Sequence, residues 1–95
     1  MLKKEFISET LAEIAKQFPI KKISYFGSYA EGNATPESDL DVLVEFNEDY
    51  VSLFLLVELK NSLEEALGIK VDLIHAPIPK DSVIKINKAV TVYAI

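Results

Sequence analysis

A chain of 95 residues is the size of one domain, expected to span residues 1–95, and its 49% hydrophobic content suits a packed core rather than disorder. It has no cysteine, which excludes a disulfide framework and a thiolate metal site. The net charge is −5 and all ten basic residues are lysines, which speaks against direct nucleic-acid binding and leaves any phosphate to backbone N–H groups, lysine or metal.

The opening MLKKEFISET soon turns polar, unlike a signal peptide, and no apolar run approaches the ~18 residues of a membrane span. A cytoplasmic protein without membrane contact is expected. From Lys3 to Phe18, Phe6, Ile7, Leu11, Ile14, Ala15 and Phe18 recur at helical spacing, and Pro19 ends the run. IKKISYF, residues 20–26, is β-rich and stops at Gly27; GNATPES has loop chemistry; DLDVLVEF, residues 39–46, is a second strand, followed by a turn at NEDY. Ser52 caps a helix that Gly68 closes, and IKVDLIH, residues 69–75, is a third strand. KDSVIKINK, residues 80–88, predicts a short last helix capped by Asp81 or Ser82, and AVTVYAI closes the chain as a strand. Short strands alternating with helices predict an α/β fold: a small mixed sheet of about four strands with helices packed on one face.

Two aspartates in a run that otherwise reads as a strand need a reason, because Asp is depleted there. Alternation puts Asp39 and Asp41 on one face, about 7 Å apart, with Leu40, Val42 and Val44 toward the core. Asp72 repeats the pattern between Val71 and Leu73. If the two strands are neighbours, three carboxylates converge on one sheet face and raise one another's pKa. Hard divalent cations remove that conflict, and an all-oxygen site suits Mg²⁺ or Mn²⁺, with two ions able to clamp a phosphoryl transfer. The plain alternative is that these acids simply face solvent.

Gly27 permits a sharp turn and close approach of a ligand to the backbone. Ser28 to Glu31 can form a helical turn with free N–H groups for phosphate, to which Ser28 adds a hydroxyl. Alone, a Gly-Ser pair after a strand is an ordinary turn.

Together, Gly27-Ser28, ten further residues and Asp39-x-Asp41 resemble the signature of the minimal nucleotidyltransferases of the DNA polymerase β superfamily. The resemblance runs on through the helix leading to Asp72 and covers nearly the whole chain. It implies a polymerase β palm-like nucleotidyltransferase fold, with Gly27 and Ser28 holding the triphosphate. Asp39 and Asp41 are then metal ligands, and Asp72 completes one metal site and helps deprotonate the acceptor hydroxyl. Minimal members of this family are typically partnered with a HEPN-domain RNase toxin, and those most similar around GS…DLD transfer AMP from ATP to a tyrosine of that toxin. The resemblance therefore implies a Mg²⁺-dependent adenylyltransferase antitoxin with a HEPN partner, a homo-oligomer being left open. Other readings are a non-catalytic antitoxin that masks its partner and a small-molecule nucleotidyltransferase, which needs a second substrate-binding lobe. One departure stands out: Glu31 occupies a position of the turn that is often basic in the family. Of the remaining residues, His75 reads as a surface side chain, Tyr29 as packing more than pocket lining, and LEEALG as a polar helix face. Lys70 shares a face with Asp72, as a solvated lysine or a phosphate contact.

Overall fold

The computed structural model describes residues 2–48, 50–75 and 88–95. Its elements are α1 (Lys4–Ala15), β1 (Ile20–Phe26), α2 (Ser28–Glu31), β2 (Leu40–Phe46), α3 (Leu53–Leu67), β3 (Val71–His75) and β4 (Ala89–Ala94). The short helix expected over residues 80–88, with its caps at Asp81 or Ser82, lies outside the described residues except for Lys88.

Among the described residues, four strands form one mixed sheet in the order β3-β2-β1-β4. β1 is antiparallel to both its neighbours, whereas β2 and β3 run parallel. A parallel pair needs a long crossover, and α3 supplies it. Along β2 burial alternates strictly: Leu40, Val42, Val44 and Phe46 are buried, while Asp41, Leu43 and Glu45 are half-exposed. Ile20, Ile23 and Tyr25 of β1 join the same core, as does Val71 of β3.

The helices cover that core. α1 contributes Ile7, Leu11, Ile14 and Ala15 at spacings that make one apolar stripe, and it packs on α3 and β4. It stops at Ala15, three residues short of the expected end at Phe18. A residue before proline disfavours the α conformation, so Gln17 and Phe18 close tight turns instead, donating N–H to the carbonyls of Ile14 and Ala15 at 2.9 and 3.3 Å. Phe6, counted in the apolar pattern, is exposed.

α3 begins and ends as its sequence predicts. Ser52 Oγ accepts the Leu55 N–H at 3.1 Å, and Gly68 at φ 73° donates its N–H to the Glu64 carbonyl at 2.8 Å. Leu59, Leu63 and Leu67 are buried along one line, while Leu53, Phe54 and Val57 stand exposed. Among the described residues no helix is long and apolar enough to cross a membrane.

The terminal strand β4 pairs with Lys22–Phe26 of β1, and Val90, Val92 and Tyr93 pack against the core. On the opposite face Ser24, buried at 1% exposure, shares a 3.1 Å hydroxyl–hydroxyl hydrogen bond with Thr91. Deleting Val90 to Ile95 bares the edge of β1 and part of the core, so the truncated chain is expected to be insoluble. Size-exclusion chromatography checks this, and a soluble monomeric truncation contradicts it.

Candidate active site

The site begins where β1 ends. Gly27 sits at φ 73° and ψ −149°, a combination essentially confined to glycine, and it turns the chain from β1 into the single-turn helix α2. The first backbone bond of that turn runs from the Glu31 N–H to the Gly27 carbonyl at 2.9 Å. The N–H groups before it belong to the unpaired first turn that any helix leaves. Tyr29 and Ala30 are buried and fasten the turn to the core, so Tyr29 is a packing residue.

Asp41 lies opposite Phe26 on one side and opposite Asp72 on the other. It therefore stands between the Gly27 turn and β3, and the condition left open by the sequence is met for two of the carboxylates: Asp41 and Asp72 lie side by side on neighbouring strands. Its carboxylate also leans against the Gly27 backbone. A β-carbon added at Gly27 would overlap Asp41 Oδ2 and lie 3.1 Å from Asp41 Cγ. Gly27 is thus required twice, once for its backbone angles and once for the space Asp41 occupies.

Asp39 differs from expectation in one respect. β2 starts at Leu40, so Asp39 is the exposed residue just before the strand rather than part of it. The preceding loop is folded on itself: Ser38 Oγ accepts the Thr35 N–H at 2.8 Å and the Ser38 N–H reaches the Thr35 carbonyl at 2.9 Å. Strand pairing begins only when the Leu40 N–H donates to the Lys70 carbonyl at 3.0 Å. Asp39 still lies close enough to be felt by Asp41.

Burial pushes the Asp41 carboxyl above its ordinary value of 3.8, and the negative charges of Asp72 and Asp39 push it in the same direction. Among the described residues, no group of three or more His, Cys, Asp or Glu side chains stands close enough together to hold a metal ion as the side chains are placed. Asp39 and Asp72 are exposed and Asp41 half-buried. The chemistry of Asp39, Asp41 and Asp72 nevertheless suits a hard divalent cation: all three are carboxylates, and their mutual repulsion is what a cation would neutralise.

Glu64 was not singled out by its sequence, where it belongs to an ordinary polar helix face. In the structure it is half-buried and its Oε2 accepts the Val71 N–H at 2.9 Å, which anchors the first residue of β3 one position before Asp72. No periodicity signals such a bond, because it spans the Gly68 turn. His75, at the other end of β3, is exposed and meets Phe46 edge-on at 5.2 Å between ring centres. It is a surface residue remote from the aspartates.

With this geometry in view, the comparisons with known proteins are consistent. Residues 7–93 match the family model described as nucleotidyltransferase domain, and the chain belongs to that family. The protein adenylyltransferase MntA of Thermococcus cleftensis is 40% identical over 73 residues, 77% of this chain and 73% of that one. A solved toxin–antitoxin structure with AMP-PNP superimposes with a TM-score of 0.64 at 27% identity, covering 72% of this chain and 56% of that chain. The fold also matches a solved complex of a tri-AMPylated Shewanella oneidensis HEPN toxin with its MNT antitoxin, at a TM-score of 0.69 and 17% identity, covering 98% of this chain and 74% of that one. The fold expected from the sequence, a small mixed sheet with helices, is the nucleotidyltransferase fold.

Two outcomes follow from the site. Gly27→Ala strains the backbone and drives a methyl group into Asp41, so it should lower stability by about 1–3 kcal/mol in denaturant unfolding; an unchanged midpoint contradicts the packing described. Asp41 has a folded pKa above its unfolded one, so its charge destabilises the metal-free fold at neutral pH. That penalty is relieved as pH falls through the folded value and is gone below about 3.8. Metal-free Asp41→Asn should therefore melt higher than wild type at pH 7, by about 4–8 °C per kcal/mol relieved, with the advantage shrinking on acidification. Equal melting temperatures at pH 7 would count against the strained carboxylate.

Proposed function

We propose that this chain is a Mg²⁺-dependent protein adenylyltransferase that transfers AMP from ATP to a tyrosine of a HEPN toxin, and acts as that toxin's antitoxin. The observation that carries the reading is Asp41, seated between the Gly27 turn and Asp72, with Asp39 beside it. Gly27 and Ser28 receive the triphosphate on the α2 turn, the glycine by close approach of the backbone and the serine through its hydroxyl and N–H. Asp39, Asp41 and Asp72 would hold two Mg²⁺ ions, or Mn²⁺, which would supply charge stabilisation to the phosphoryl transfer.

The tyrosine oxygen attacks the α-phosphorus, a new P–O bond forms, and the bond to pyrophosphate breaks. Asp72, exposed at the margin of the sheet, takes the phenolic proton. The chain's own share of the catalysis is positioning and charge stabilisation. Masking of the toxin without chemistry is the second reading, and the crowding of carboxylates speaks against it: a surface used only for binding has no need of a residue whose charge the fold resists.

Calorimetric titration with ATP should show binding in Mg²⁺ that disappears in EDTA. Asp72→Asn keeps the shape and removes the charge, so folding and partner binding should survive while the mass shift of AMP on the partner vanishes. Protection of cells from the toxin should fall with it. A variant that protects as well as wild type without modifying the toxin makes masking the mechanism.

A further inference from the structure

Beside the aspartates, an open cleft of about 460 Å³ runs between the loop before β2 and the α3–β3 turn, with Ser38, Asp39, Gly68 and Lys70 among its walls. Among the described residues that line it, Lys70 is the one basic side chain, alongside the acids Glu37 and Asp39 of the same lining. Its backbone places it in a defined relation to the site. Leu40 and Val71 are the first matched pair of the parallel ladder, and the Leu40 N–H bonds to the Lys70 carbonyl at 3.0 Å. Lys70 is therefore the neighbour of Asp39 one step before the ladder begins. Val71 is buried while Lys70 and Asp72 are exposed, so these two share a face, about 7 Å apart.

The charge balance asks for a cation here. A triphosphate entering the site meets Asp39, Asp41 and Asp72, and α2 adds the exposed Glu31. The chain has no arginine to offset them. Gly27 and Ser28 follow β1, on the far side of β2 from Lys70, so Asp39 and Asp41 lie between the glycine turn and this lysine. A nucleotide phosphate bridging that gap comes within range of an ammonium on a flexible four-carbon stem. The ordinary role for Lys70 is an ion pair with a neighbouring acid. The ion pairs among the described residues are Lys16–Glu13 at 3.4 Å and Lys21–Glu45 at 3.9 Å, and neither involves Lys70.

We propose that Lys70 is a nucleotide-binding residue whose ammonium contacts the phosphates of ATP from the β3 side of the site. The proposal rests on the adenylyltransferase reading and extends it to a residue outside the glycine turn and the three aspartates. The contact is a charge-assisted hydrogen bond, and such bonds are worth roughly tenfold or more in affinity.

The test is calorimetric titration of the full chain with MgATP, for wild type, Lys70→Met, Lys70→Arg and Lys70→Glu. Methionine should weaken binding about tenfold, glutamate more, and arginine should restore it to near wild type, while melting temperatures stay unchanged because the side chain is exposed. Methionine binding as tightly as lysine, or all three variants losing affinity equally, overturns the proposal while leaving the adenylyltransferase reading intact. Wild type that does not bind MgATP at all overturns both.

Discussion

The contact on which the site depends is the one between the Asp41 carboxylate and the bare backbone of Gly27. It joins two strands at the point where the chain turns from sheet to helix, and any side chain at Gly27 abolishes it. Because Asp41 is half-buried there and faces Asp72 and Asp39, its charge is held where the fold resists it. Neither ion pair among the described residues involves Asp41, and a carboxylate partly out of water without such a partner is a cost to stability. A cation among the three carboxylates would relieve that cost, as protonation of Asp41 does at low pH.

Much of the remaining scaffold keeps Asp41 and Asp72 in register. The parallel pairing of β2 with β3 aligns Asp41 with Asp72, and this depends on how α3 delivers the chain. Ser52 starts the helix, Gly68 ends it by reversing direction, and Glu64 reaches across that reversal to hold the Val71 N–H. A strand slipped by one residue would move Asp72 to the core face. The buried line of Leu59, Leu63 and Leu67 locks the helix against the sheet and so defends the register from behind.

The two faces of the sheet divide the labour. The helix side is a packed apolar layer from α1, α3 and the alternating residues of β1 and β2. The site gathers at one end of the sheet, where β1 finishes and β2 and β3 begin, while His75 and Phe46 occupy the other end. The match to the nucleotidyltransferase family extends over residues 7–93, a span that includes both the scaffold and the three aspartates.

The sequence by itself determined the local structure wherever a single residue's chemistry decides it. Alternation of Leu40, Val42 and Val44 against Asp41 marked β2, Ser52 and Gly68 bounded α3, and the Gly27–Ser28 pair with its spacing to Asp41 marked the turn and the family. The end of α1 was less legible, because the apolar period continues to Phe18 while Pro19 unwinds the last turn before it. Asp39 read as a strand residue because alternation cannot show where pairing starts: the first bond runs from the Leu40 N–H to the carbonyl of Lys70, 30 positions further along the chain. Only the tertiary structure decided that β2 and β3 are neighbours, that the Asp41 carboxylate occupies the space a β-carbon of Gly27 would need, and that Glu64 holds β3. These are contacts between segments, and a periodicity read along one segment carries no information about what faces it.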